Sequence, residues 1–168
     1  MILTKQHILT EIEKGNLVVD PFTPDMVGPA SIDLTLDNEI RVFERIDDIV
    51  SVTDLSDYRD ITRKITVKET YRIKPNELIL GITKERIKLP GNIAGWLNSR
   101  SRFARLGLMV HITAPFIQPG QTGQQVLEIY NTGPNILDLI PGQRLCQLIL
   151  QRCEGTAEYA GKFQDQEL

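Results

Sequence analysis

The chain has 168 residues, 41% hydrophobic and 24% charged, with a formal net charge of -3, which suits one soluble globular domain with a proper core. The weak negative charge offers no long-range attraction to a nucleic acid polymer. The opening stretch MILTKQHILTEIEKG lacks the long apolar run of a signal peptide or a membrane span, so the expectation is a cytoplasmic protein with no membrane partner.

Thr4 is placed to cap a short helix in which Ile8, Leu9 and Ile12 share a face and Gly15 supplies the stop. The helical period then disappears. Short apolar or alternating runs follow in order: LVVD, SIDLTL, EIRVF, ITVKETYRI, ELILGI, IAGWL, LMVHIT, QVLEIYN, ILDL and RLCQLILQ. Turn signals separate them, among them Pro75-Asn76, Pro90-Gly91, Pro119-Gly120, Gly133-Pro134 and Pro141-Gly142. This pattern predicts an all-β fold, a barrel or sandwich with a short N-terminal helix. The acidic stretch Asp47 to Asp60 is the best candidate for an exposed excursion. Cys146 and Cys153 form no CxxC pair, and Cys146 falls in an apolar run, so both read as reduced thiols.

Two segments carry candidate chemistry. In Asn98-Ser99-Arg100-Ser101-Arg102-Phe103-Ala104-Arg105, Ser99 or Ser101 is placed to cap a helical turn beside three arginines. Free N–H groups and forked guanidinium donors suit phosphate oxygens; the alternative is a solvated turn with its arginines in water. In QVLEIYN, period-two alternation puts Val126, Glu128 and Tyr130 on one face and Leu127 and Ile129 on the other. Glu128 then either meets bulk solvent or sits in a cleft where it can shuttle protons.

The stretch SRSRFARLGLMVHITAPFIQPGQTGQQVLEIYNTGP resembles the central motif of the dCTP deaminase family: an R-S-x-x-A-R loop, L-G-L-x-V-H-x-T-A, I-x-P-G and L-E-x-x-N, in order. VGPASIDLTL at residues 27 to 36 resembles the family's P-A-S-x-D-L segment, and RLCQLIL with the tail from Tyr159 to Gln166 resembles its last strand and nucleotide-covering arm. The resemblance thins between about residues 44 and 70.

The resemblance implies one dUTPase-like distorted β-barrel domain over residues 1 to 168, with 154 to 168 as the arm, assembled as a homotrimer with sites between subunits. It implies hydrolysis of dCTP to dUTP and ammonia, feeding dUMP and dTTP synthesis, with Glu128 taking a proton from water and delivering protons to ring N3 and the leaving amine. Ser101 and Arg105 match residues that position water and phosphates, within a substrate loop of Arg100, Ser101, Arg102, Phe103, Ala104 and Arg105. Ile112, Thr113 and Ala114 match backbone near the pyrimidine, flanked by Gln118, Val126 and Leu127. Gln147, Tyr159, Lys162 and Gln166 match residues that hold sugar and triphosphate. Magnesium is implied with the triphosphate, and dTTP as an inhibitor is a further implied ligand.

The zinc route to cytosine deamination needs H-x-E and P-C-x-x-C. Here the only histidines, His7 and His111, lack a Glu two positions on, and the two cysteines stand seven apart, so no zinc site is expected. His111, in LMVHIT, reads as a packed or trimer-facing strand residue.

Three positions depart from the family pattern. Arg102 stands where many relatives have Ser, and Pro115 where some have His. Gln118 stands where many have Asp, the residue that activates water for phosphate attack in dUTPases. An amide cannot take a proton as a general base. A bifunctional deaminase–diphosphatase or dUTPase is therefore the disfavoured alternative, alongside a non-catalytic nucleotide-binding regulator.

Overall fold

The computed structural model describes residues 1–168. The helix α1 (Lys5–Glu13) comes first, followed by β1 (Val18–Asp20), β2 (Ile32–Phe43), β3 (Thr62–Thr66), β4 (Tyr71–Ile73), β5 (Leu78–Thr83), β6 (Arg86–Lys88) and β7 (Ile93–Ser99). After the single-turn helix α2 (Ser101–Ala104) come β8 (Leu108–Val110), β9 (Phe116–Ile117), β10 (Thr122–Gly123), β11 (Val126–Asn131), β12 (Leu137–Leu139) and β13 (Arg144–Arg152). The mainly β fold with one short N-terminal helix is as the punctuation predicts.

The main sheet runs β8-β11-β5-β2-β13-β7-β9, with β3 also on β2. Its β7 and β8 are brought together by one side chain: Ser99 Oγ donates to the Val110 carbonyl at 3.1 Å and accepts the Val110 N–H at 2.7 Å. A single hydroxyl thus spans β7 and β8, which share no backbone ladder. β1, β6 and β10 make a second sheet, and β4 pairs with β12.

SIDLTL and EIRVF join into one strand, β2, whose register on β5 shifts between Leu36 and Ile40. Its Ile32, Leu34, Leu36 and Ile40 point inward, and with Ile79, Leu127, Ile129, Leu148 and Leu150 they build a single core. Each fully buried aliphatic side chain contributes about 1.5–3 kcal/mol relative to exposure.

Cys146 lies in that core, where burial pushes its thiol well above the ordinary range. Ile8 of α1 is also buried, and Thr4 stands at the N-cap without a side-chain cap bond. One feature of this helix has no apolar pattern to announce it. Glu11 is buried, receiving Asn16 Nδ2–H at 2.9 Å and pairing with Arg152 of β13. The Asn16 hydrogen bond, then the Arg152 contact, holds its carboxyl below the usual range. No helix is long and apolar enough to cross a membrane.

Candidate active site

β11 settles the two readings of Glu128. Leu127 and Ile129 are wholly buried in the core, so Glu128 faces outward. It does not face open water. Its side of the sheet is roofed by the 111–114 turn and by the tail, leaving a cavity of about 460 Å³. In register, Glu128 sits opposite Leu80 of β5, and Leu80 opposite Arg41 of β2.

The carboxylate is held by donors alone. The Ile112 and Thr113 N–H groups both reach Oε2, at 3.0 and 2.8 Å. The Thr113 hydroxyl lies 3.0 Å from Oε1 and 3.1 Å from Oε2. This clamp depends on His111, which ends β8 with φ 64° instead of continuing the strand. Left-handed backbone at a non-glycine residue costs on the order of 1–3 kcal/mol and persists only where its surroundings impose it. Here the His111 N–H donates to the Glu128 carbonyl at 2.7 Å, and the chain then turns two successive N–H groups onto the carboxylate.

His111 is therefore not a strand residue, as the sequence reading has it, but part of the turn that follows β8. It lines the cavity, with Nε2 2.6 Å from the Ala114 carbonyl and a buried Nδ1 that has no partner.

Of the residues singled out from the sequence, Ala114, Gln118, Val126, Glu128, Tyr159 and Gln166 line this cavity. Ile112 and Thr113 are joined to it through Glu128. Leu127 is in the core and offers the cavity no side chain. Lys162 is exposed on the tail. The sequence reading missed Phe43, Tyr58, Phe116, Gln121, Gln125 and Phe163, which also line it. Alternation in EIRVF signals an outward Phe43, but only the pairing of β2 with β5 carries it toward Glu128. No lysine or arginine lines the cavity, and Glu128 is its only carboxylate.

The arginine segment lies elsewhere on the chain. α2 has Arg100 at its N-cap, with no side-chain cap bond. Neither serine caps it: Ser99 is spent on Val110, and Ser101 is the first helical residue. Arg100 pairs with Asp33 at 3.0 Å and donates to the Arg144 carbonyl at 2.8 Å. Gln147 sits in register with both Asn98 and Asp33. Ser101, Arg102, Ala104 and Arg105 are exposed. Phe103 packs against the core and lines a smaller apolar cavity with Leu36, Leu108 and Leu145. One chain thus carries an anion-ready surface and an acid-bearing cavity that do not meet.

The comparisons bear on what the two surfaces serve. A relative from Nocardioides sp., named "dCTP deaminase, dUMP-forming", is 34% identical over 99% of this chain and 91% of its own length. One of the same name from Acidothermus cellulolyticus is 39% identical over 95% of this chain and 84% of its own. Both names give dUMP as the product of those proteins, where the sequence reading expects dUTP. That expectation rested on Gln118, and a neutral amide there removes a base from one position without removing the chain's other carboxylates.

The crystal structure of 2'-deoxycytidine 5'-triphosphate deaminase from Agrobacterium tumefaciens superposes with a TM-score of 0.72 at 20% identity, over 91% of this chain and 48% of that one. The chain therefore spans about half the length of that protein, and the likeness is one of fold. The dCTP deaminase-like family model matches residues 2–153. The Glu128 strand, its donor turn and the arginine segment all fall inside the match, and the chain belongs to the dCTP deaminase-like family.

Proposed function

We propose that this protein hydrolyses the exocyclic amine of dCTP and carries the nucleotide on to dUMP, releasing ammonia and pyrophosphate. The observation that carries the reading is the donor-clamped Glu128 at a cavity with no competing charge. The names of the two relatives supply the substrate and the product.

Glu128 takes one proton from the attacking water as oxygen bonds to C4 and passes it to N3; it then takes the second from the new C4 hydroxyl and passes it to the amine, as C4=O forms and the C4–N bond breaks. A positioned acid–base of this kind contributes about 10²–10⁴-fold. The backbone at Ile112, Thr113 and Ala114 lies beside the ring, and Tyr159 and Gln166 beside the sugar. The step at phosphate uses a base other than Gln118.

The triphosphate needs cations that the cavity lacks. Arg100, Ser101, Arg105 and Gln147 of a second copy would supply that surface in a homotrimer, with Lys162 as a point charge. No three His, Cys, Asp or Glu side chains cluster as a metal site. Magnesium would accompany the triphosphate, held by its phosphate oxygens and by water. The buried free thiol of Cys146 suits a reducing cytoplasm.

The test is a product assay with purified protein, dCTP and magnesium. Ammonia and dUMP are expected in equal amounts. Unchanged dCTP would contradict the deaminase reading, and ammonia with dUTP accumulating would contradict the second step.

A further inference from the structure

The tail beyond β13 is strapped onto its own chain along a track that small residues keep open. A Cβ on Gly120 would stand 3.0 Å from Glu158 Cα, and one on Gly123 would stand 2.8 Å from Asp165 Cα. Backbone therefore approaches backbone where a side chain would intervene. The Tyr159 N–H donates to the Pro119 carbonyl at 3.0 Å, and the Asp165 N–H to the Thr122 carbonyl at 3.1 Å. Gln166 bridges Gly123 in parallel, and Arg86 pairs with Asp165 at 2.7 Å.

The far end of the strap meets a fixed point. The Tyr58 hydroxyl donates to the Glu167 carbonyl at 3.0 Å. Its ring has the Arg41 and Arg59 guanidinium carbons 5.7 and 5.6 Å from its centroid, within cation–π range. Arg41 is itself held on β2 by the Thr62 carbonyl at 3.0 Å and hydroxyl at 2.9 Å. Leu168 is only 6% exposed and clusters with Leu80 and Ile82, with Tyr58 and Val126 packed against them. Tyr58 closes an otherwise exposed excursion, in which Ile49, Val52 and Leu55 each exceed 90% exposure.

We propose that Tyr58 is a positioning residue: it latches residues 163–168 across the cavity of the same chain and so sets how long a nucleotide stays beside Glu128. This rests on the cavity being the nucleotide site. The latch lowers KM and leaves the chemical step alone.

Lys162 is the one trypsin target beyond Cys153, so release of the peptide 163–168 from the full chain reads the open strap without reference to activity. Tyr58→Phe keeps the ring and removes the hydroxyl. It is expected to speed that release about fivefold, the ~1 kcal/mol of one hydrogen bond at ~1.4 kcal/mol per tenfold. The KM for dCTP should rise by a similar factor, with kcat within about twofold and the thermal midpoint unchanged. Leu168→Ser, which withdraws an apolar side chain, should exceed about tenfold in release rate. Unaltered release and KM in both variants, or a fall in kcat without a rise in KM, would overturn the latch. If the native protein leaves dCTP untouched, the reading of the cavity fails, while the ratio of release rates still decides whether Tyr58 holds the strap.

Discussion

The Glu128 cavity and the arginine segment both carry polar groups, yet their chemistry is opposite. The cavity holds an acid gripped by N–H and O–H donors, with aromatic and amide neighbours and no cation. The arginine segment presents Arg102 and Arg105 to the outside, beside Arg100 already committed to Asp33. A carboxylate that must exchange protons with water is hindered by an adjacent guanidinium, and a triphosphate is repelled by a carboxylate. Keeping the two apart within a chain, and joining them between chains as proposed, would satisfy both demands. Glu11 sharpens the contrast. It too is held by hydrogen bonds, from Asn16 and Arg152, but its partner is a cation and it ties α1 to β13.

The comparison breaks first at Glu128. Glu128→Gln keeps the shape and removes the proton acceptor, so kcat for ammonia release should fall by about 10²–10⁴-fold with nucleotide affinity largely retained; a fall under tenfold would remove Glu128 from its role. Arg105→Ala should act on the other region, raising KM for dCTP by roughly 10–100-fold through lost charge-assisted bonds to phosphate, with the smaller effect on kcat. Equal effects on both constants would mean that the arginine acts at the reacting carbon. Thr113→Val withdraws the hydroxyl from Glu128 and leaves both backbone donors; about a fivefold loss of kcat is expected.

Glu11→Gln is the smallest effect and the control. Its carboxyl is held below the ordinary value of 4.5, so its stabilisation is complete above that pH and fades as pH falls through the depressed value. Denaturant unfolding should show a loss of about 1 kcal/mol at pH 7, discounted for the partly exposed Arg152, that closes at the acid end, with kcat unaltered.

The chain displays its local chemistry openly. Alternation in QVLEIYN places Glu128 on a face, the punctuation marks out an all-β fold, and ordered motifs carry the family resemblance. What local pattern cannot show is which face is roofed. Leu127 and Ile129 inward is the arrangement that by itself leaves Glu128 in solvent, and the roof comes from the 111–114 turn and the tail. His111 looks like strand because valine and isoleucine flank it; its left-handed backbone goes with bonds to Glu128, fifteen or more residues further along the chain than the clamp. Tyr58 lies where the family resemblance thins, and nothing in its neighbours foretells a contact with Glu167. Ser99 looks like a cap and instead joins β7 to β8, a role set wholly by tertiary pairing.

Mixing the two disabled proteins probes the division most directly. Glu128→Gln subunits retain an intact arginine surface, and Arg105→Ala subunits retain an intact cavity. Unfolded together and refolded as mixed oligomers, they should regain dCTP-dependent ammonia release well above the sum of the separate variants, because some interfaces pair a sound cavity with a sound arginine surface. Activity that never exceeds that sum, in oligomers proven to be mixed, would mean that a single chain furnishes the whole site.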